Sequence, residues 1–280
     1  MDYTKLFDAI KRQTIVMDYE PAAKPLPADA SKFGGKPYLP VGFEWPYYEG
    51  EDYNGEVANR PLAFLAQINL EEIAEFDDEH QLPHKGMLYF FYELESMLWG
   101  FDPKDKGCAR VYYFEDTTGF HAHRLPADLS DYGRIPEYTL TFDGMLDLPE
   151  FDEYADYHEE TTNWDEYDEE RTLYGYELMD EDCTKMLGYA NWIQSCDLME
   201  CELTSRGVYC GSGTLDLPEQ VQKEAFENSA DWVLLFQMSS ICEDDHELMF
   251  GDCGMIYYFI KKQDLAELNF NNVWLIMQCC

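Results

Sequence analysis

The chain has 280 residues, 57 of them acidic and 19 basic, for a formal net charge of −38. Nucleic acid and anionic membranes are both held by lysine and arginine, so this balance excludes them as expected partners and favours a basic protein or cations. The start MDYTKLFDAIKRQ has neither the basic opening nor the apolar core of a signal peptide, and no apolar run nears the roughly 20 residues needed to cross a bilayer. A cytoplasmic protein is expected. Its nine cysteines are odd in number and contain no C-x-x-C pair, which points to reduced thiols rather than a disulfide framework or a zinc ribbon.

In chain order, the spacing of Leu6, Phe7, Ile10 and Met17 predicts an amphipathic helix over Thr4–Met17. Prolines break it, and the glycines and prolines of Phe33–Pro46 predict an ordered, non-repetitive loop. Ala63–Ile68 reads as a buried strand. Asn69 then caps a short helix over Leu70–Phe76, with Glu72 completing a capping box. Strands are expected at Met87–Glu93 and Ala109–Glu115. Between Asp143 and Asp182 seventeen acids stand against one base, Arg171. Tyr154, Tyr157, Trp164, Tyr167, Tyr174 and Tyr176 are interleaved with them, which predicts a segment docked on the fold by its aromatics. Beyond it come Lys185–Gln194, a helix from about Pro218 with Val221, Ala225 and Phe226 buried, strands at Trp232–Met238 and Met255–Ile260, a short helix at Asp264–Leu268 and a strand at Val273–Gln278.

One pattern occurs twice. A-F-L-A-Q-I at Ala63–Ile68 precedes Gly86 and M-L-Y-F-F, and V-L-L-F-Q-M at Val233–Met238 precedes Gly254 and M-I-Y-Y-F. Gln67 and Gln237 are 170 positions apart, and Gly86 and Gly254 are 168 apart. The expected architecture is therefore α+β, with mainly antiparallel sheets and internal duplication into two similar β-rich halves. These form one compact body over residues 1–280, with pseudo-repeats near 33–115 and 185–280 joined by the acidic segment near 143–182.

Four blocks together resemble the YwqG-like family, a bacterial family of unknown function. They are G-G-K-P-Y-L-P…W-P at Gly34–Pro46, P-L-A-F-L-A-Q-I-N-L at Pro61–Leu70 with L-P-H-K-G-M-L-Y-F-F at Leu82–Phe91, L-G-Y-A-N-W-I-Q at Leu187–Gln194, and W-V-L-L-F-Q-M…F-G-D-C-G-M-I-Y-Y-F-I at Trp232–Ile260. The resemblance implies an α+β fold and a cytosolic bacterial protein, and it supplies no activity. In the third block the family often has a histidine and a proline where this chain has Thr184 and Ala190, which weakens any role for that histidine as ligand or base here.

Candidate ligand-binding residues are Gln67, Gln237, Gln194 and Trp45. A Gln within a buried strand is costly unless its amide is fully bonded, so Gln67 and Gln237 are either matched structural bridges or a shared polar site. Asp252, between Gly251 and Cys253, is a candidate catalytic carboxylate that could also brace a turn. His121 and His123 share one side of a strand but lack an evident third ligand, and the carboxylates near Asp165 lack an EF-hand pattern. No metal and no cofactor is expected. The leading functional expectation is a non-catalytic, immunity-like binding protein recognising a basic protein partner. The alternative is a small-molecule enzyme such as a hydrolase, with Asp252 as base in a cleft between the halves.

Overall fold

The computed structural model describes all residues except 53, 158–162, 178, 180–182, 215 and 244–245. Its centre is a strand pair that the periodicity concealed. Helix α1 covers only Tyr3–Ile10, capped by the Asp2 side chain, and strand β1 follows at Arg12–Pro21. The helix expected to run to Met17 therefore stops about two turns early. Thr14, Ile15 and Val16 are β-branched and stiff, and β1 finds a ten-residue antiparallel partner in β6, Tyr138–Asp147. Tertiary pairing outweighed a marginal helical stripe.

The other main strands are β2 (Lys32–Phe33), β3 (Ala63–Asn69), β4 (Met87–Tyr92), β5 (Ala109–Phe114), β7 (Thr184–Leu187), β8 (Trp232–Ser239), β9 (Met255–Lys261) and β10 (Trp274–Gln278). All ten join one antiparallel sheet, in the order β10-β9-β8-β7-β1-β6-β2-β3-β4-β5. With the helices α2 (Leu70–Ile73), α3 (Phe151–Tyr157), α4 (Trp164–Tyr174), α5 (Leu198–Ser205), α6 (Glu219–Ser229) and α7 (Lys262–Ala266), the fold is α+β and mainly antiparallel. Asn69 caps α2 as expected, but Glu72 turns away to accept from the Ser31 amide, so no capping box closes.

The sheet is strongly curled. Strands β4 and β8 stand six places apart, which would separate them by about 28 Å in a flat sheet. Yet the Phe90 and Phe236 rings lie 4.5 Å apart, and Tyr258 donates to the Phe91 carbonyl. The inner face holds Leu88, Phe90 and Tyr92 with Phe236, Ile256 and Tyr258 in one core. The outer face carries Met87, Tyr89 and Phe91 in one half, and Trp232, Tyr257 and Phe259 in the other. Strands covered on both sides explain why these sequences read as continuous apolar runs rather than alternating ones.

The two halves of the sheet match in detail. Register shifts fall between Phe64 and Ala66 against β4 and between Leu234 and Phe236 against β9. Lys32 pairs with Gln67, and Lys185 with Gln237. Consecutive residues with left-handed backbone lie at the end of each lysine strand, Gly34–Gly35 just after β2 and Leu187–Gly188 at the last residue of β7 and the one beyond. At Gly34 a Cβ would run into the carbonyl oxygens of Ile135 and Pro136, whereas Leu187 adopts φ 61° at some strain.

In the acidic segment Tyr154, Tyr167 and Tyr176 are buried, and Tyr157 and Tyr174 are half-buried. Trp164, expected to anchor the segment, is instead 59% exposed. On α6, Ala225 is buried but Phe226 lies at the surface, stacked on Tyr157. Residues 158–162 and 180–182 of the acidic stretch lie outside the described residues.

Candidate functional site

Gln67 and Gln237 occupy matching places on the outer face, and their amides are consumed by backbone. Gln67 accepts from the Tyr38 amide and donates to the Ala28 and Ala30 carbonyls. Gln237 accepts from the Asn191 amide and donates to the Cys183 carbonyl and the Asn191 side chain. Each amide thus pins an irregular loop over its sheet half, at full burial. The lysines beside them are buried too: Lys32 pairs with Glu137 at 2.7 Å and Lys185 with Asp147 at 2.9 Å. Burial pushes the Lys32 ammonium below its usual range, against the pull of Glu137.

Gln194 is exposed and donates to the Cys279 carbonyl. The Trp45 indole donates to the Leu62 carbonyl and packs edge-on against Phe91. Asp252 lies in an exposed turn, with its backbone carbonyl accepting from Cys280. The structure does not gather these five residues into one place. Gln278, which the sequence reading passed over, is bonded as fully as the other two: it accepts from the Ile193 and Gln194 amides and donates to Ser195 and Asp197. Its signal was the apolar run of β10, which forces any polar side chain there to find partners.

A cavity of about 200 Å³ opens between β1, α3, the Tyr189 loop and the start of β8. Glu153 reaches it from α3, Arg12 from β1 and Lys262 from the start of α7, and Tyr154, Tyr157, Tyr189 and Trp232 supply aromatic walls. Each charged group is set from behind. Arg12 lies over the Tyr189 ring at 3.9 Å and donates to the Gly188 carbonyl. Lys262 donates to the Ala230 carbonyl. Glu153, only 6% exposed, accepts from the Trp192 indole at 2.8 Å.

Desolvation pushes the Glu153 carboxyl up to about 7; the Trp192 hydrogen bond and Arg12 pull the other way, while Asp147 and Glu150 add to the rise. Burial lifts Glu150 to about 7 as well. Glu153 is therefore poised to donate or accept a proton near neutrality. With one carboxyl, one guanidinium and one ammonium set among aromatic walls, the arrangement suits hydrogen bonding and proton exchange. The spacing of residues along the chain does not point to this set, because its members come from five distant segments. Among the described residues, no group of three or more His, Cys, Asp or Glu could hold a metal ion, and no helix is long and apolar enough to cross a membrane.

The fold and its paired loop clasps define an α+β protein with an aromatic cavity. The chain belongs to the family described as "Domain of unknown function (DUF1963)", whose model matches residues 31–279. No curated protein matches it.

Proposed function

We propose that this protein works by binding, and that the acidic helical face formed by α3 and α4 receives a basic protein partner, as an immunity-like protein would. The observation carrying this reading is the division of labour on those helices. Tyr154 and Tyr167 are stacked and buried at 4.7 Å, while Asp152, Asp156, Asp165, Glu166 and Glu169 face solvent. The single base, Arg171, is buried against the Pro149 carbonyl and Asp168 and leaves the outer charge uncompensated. Trp164 and Leu173, 59% and 73% exposed, stand among these acids as apolar anchors. Acidic charge steers a basic partner in, and an exposed tryptophan supplies the contact energy.

The same reading makes the protein cytoplasmic and places its family with the YwqG-like proteins on the four sequence blocks, with nucleic acid and membranes disfavoured by charge. The matched register shifts and glutamine clasps support an internal duplication as the origin of the two halves. The test is affinity capture from native lysate with wild type and Trp164→Ala. A basic protein retained by wild type, released by salt and lost with the variant is expected. Capture that is indifferent to both salt and Trp164 would sink the proposal.

The alternative, a small-molecule enzyme, draws its support from Glu153 rather than Asp252, because Glu153 lines an aromatic cavity and its carboxyl is raised to about 7 by burial. Turnover abolished by Glu153→Gln, with stability not lowered, is its test.

A further inference from the structure

A second cavity, of about 250 Å³, brings Lys106, Arg206 and Lys261 together around Trp232 and Trp274. In a chain with 57 acids and 19 bases, three cations converging on one groove need a cause. Part of it is Glu202, whose side chain is 2% exposed and which organises two of them from beneath. Arg206 pairs with it at 3.2 Å and Lys261 at 2.7 Å, and the Trp232 indole donates to the same carboxylate at 2.9 Å. The Lys261 ammonium is thereby held 5.3 Å from the Trp232 ring centre.

Lys106 stands exposed on the rim, with no carboxylate partner among the described residues. The other acid of the groove, Asp264, is engaged by the side chains of Asn269 and Asn272. Three cations against Glu202 and Asp264 leave the groove locally positive on a strongly negative molecule. Both indole N–H groups are spent inward, Trp232 on Glu202 and Trp274 on the Gly100 carbonyl. What they offer the groove is a narrow edge of ring carbon, the two residues being 3% and 5% exposed.

We propose that this groove is a binding site for a small aromatic phosphate: the ring lies against Trp232 and Trp274, and the oxyanion meets Arg206, Lys106 and Lys261. A guanidinium already fixed by Glu202 through one nitrogen keeps its remaining N–H groups for a second oxyanion, and a fixed fork loses little entropy on binding. A phosphate matches this set better than a carboxylate, since its three terminal oxygens can each accept from a different one of the three cations. The inference is independent of the acidic face proposed above.

The experiment titrates the intact protein with phenyl phosphate, inorganic phosphate and benzoate, by calorimetry and by NMR of the indole N–H signals. Phenyl phosphate is expected to saturate at sub-millimolar concentration and to move the Trp274 signal. That indole lines this groove and not the Glu153 cavity, whereas Trp232 lines both. Inorganic phosphate, lacking the ring, and benzoate, lacking a third acceptor oxygen, should each bind at least tenfold more weakly. The double variant Lys106→Gln with Arg206→Gln should weaken phenyl phosphate at least tenfold while its indole N–H signals keep the dispersion of the folded protein. Failure to saturate by about 10 mM, an unmoved Trp274, benzoate binding as tightly as phenyl phosphate, or wild-type affinity in the double variant would each overturn the proposal.

Discussion

Replacing Glu153 by Gln should stabilise the protein, and by an amount that depends on pH. Below pH 4.5 the carboxyl is protonated in both the folded and the unfolded chain. Between 4.5 and about 7 only the folded chain holds the proton, so stability falls as pH rises through that window and the loss is complete above it. The distance from 4.5 to about 7 corresponds to about 3 kcal/mol at 1.36 kcal/mol per pH unit. Glutamine keeps an acceptor for the Trp192 indole but carries no charge to desolvate. Its advantage should therefore be near zero at pH 4 and reach about 3 kcal/mol at pH 8, or roughly 5–10 °C in melting temperature. Glu150 and Glu200, also lifted to about 7 by burial, titrate in both proteins and cancel to first order. Urea titrations of both proteins at half-unit pH steps measure the difference directly. An advantage that stays constant from pH 4 to 8 would refute the reasoning, because it would mean that Glu153 titrates alike in the folded and unfolded chains.

Three further outcomes follow from the packing. Gln237→Leu strands the Asn191 amide and the Cys183 carbonyl and should cost about 2–4 kcal/mol in urea unfolding, with Gln67→Leu similar; a loss under about 1 kcal/mol at both sites would show that the loops repair themselves. Lys185→Met leaves Asp147 buried with only the Tyr189 amide and should cost about 3–5 kcal/mol, most of it recovered in the double variant with Asp147→Leu; an additive double variant would contradict this. Added NaCl should raise the melting temperature smoothly by screening the acidic face over about 8 Å at physiological strength, and millimolar Ca²⁺ should add little beyond its ionic strength; a saturable rise at micromolar Ca²⁺ would reveal a metal site.

Sequence alone determined the local elements whose apolar runs are unambiguous. β3, β4, β8 and β9 were legible because a strand buried on both faces admits almost nothing but apolar side chains, so a lone Gln in such a run marks a required hydrogen bond. The α2 cap at Asn69 and the tyrosines of the acidic segment were legible for equally local reasons. The partner of each group was not. β1 looked helical because Leu6, Phe7, Ile10 and Met17 fit one face, and only its ten-residue pairing with β6 decided otherwise. The Arg12, Glu153, Tyr189 and Lys262 cavity and the Lys106, Arg206 and Lys261 groove likewise draw on segments far apart in the chain. Curling of the sheet and docking of α3 and α5–α7 bring them together. Proton affinity and ion pairing depend on distance and burial, which sequence spacing does not encode across long loops, and so the tertiary structure decided the chemistry of both cavities.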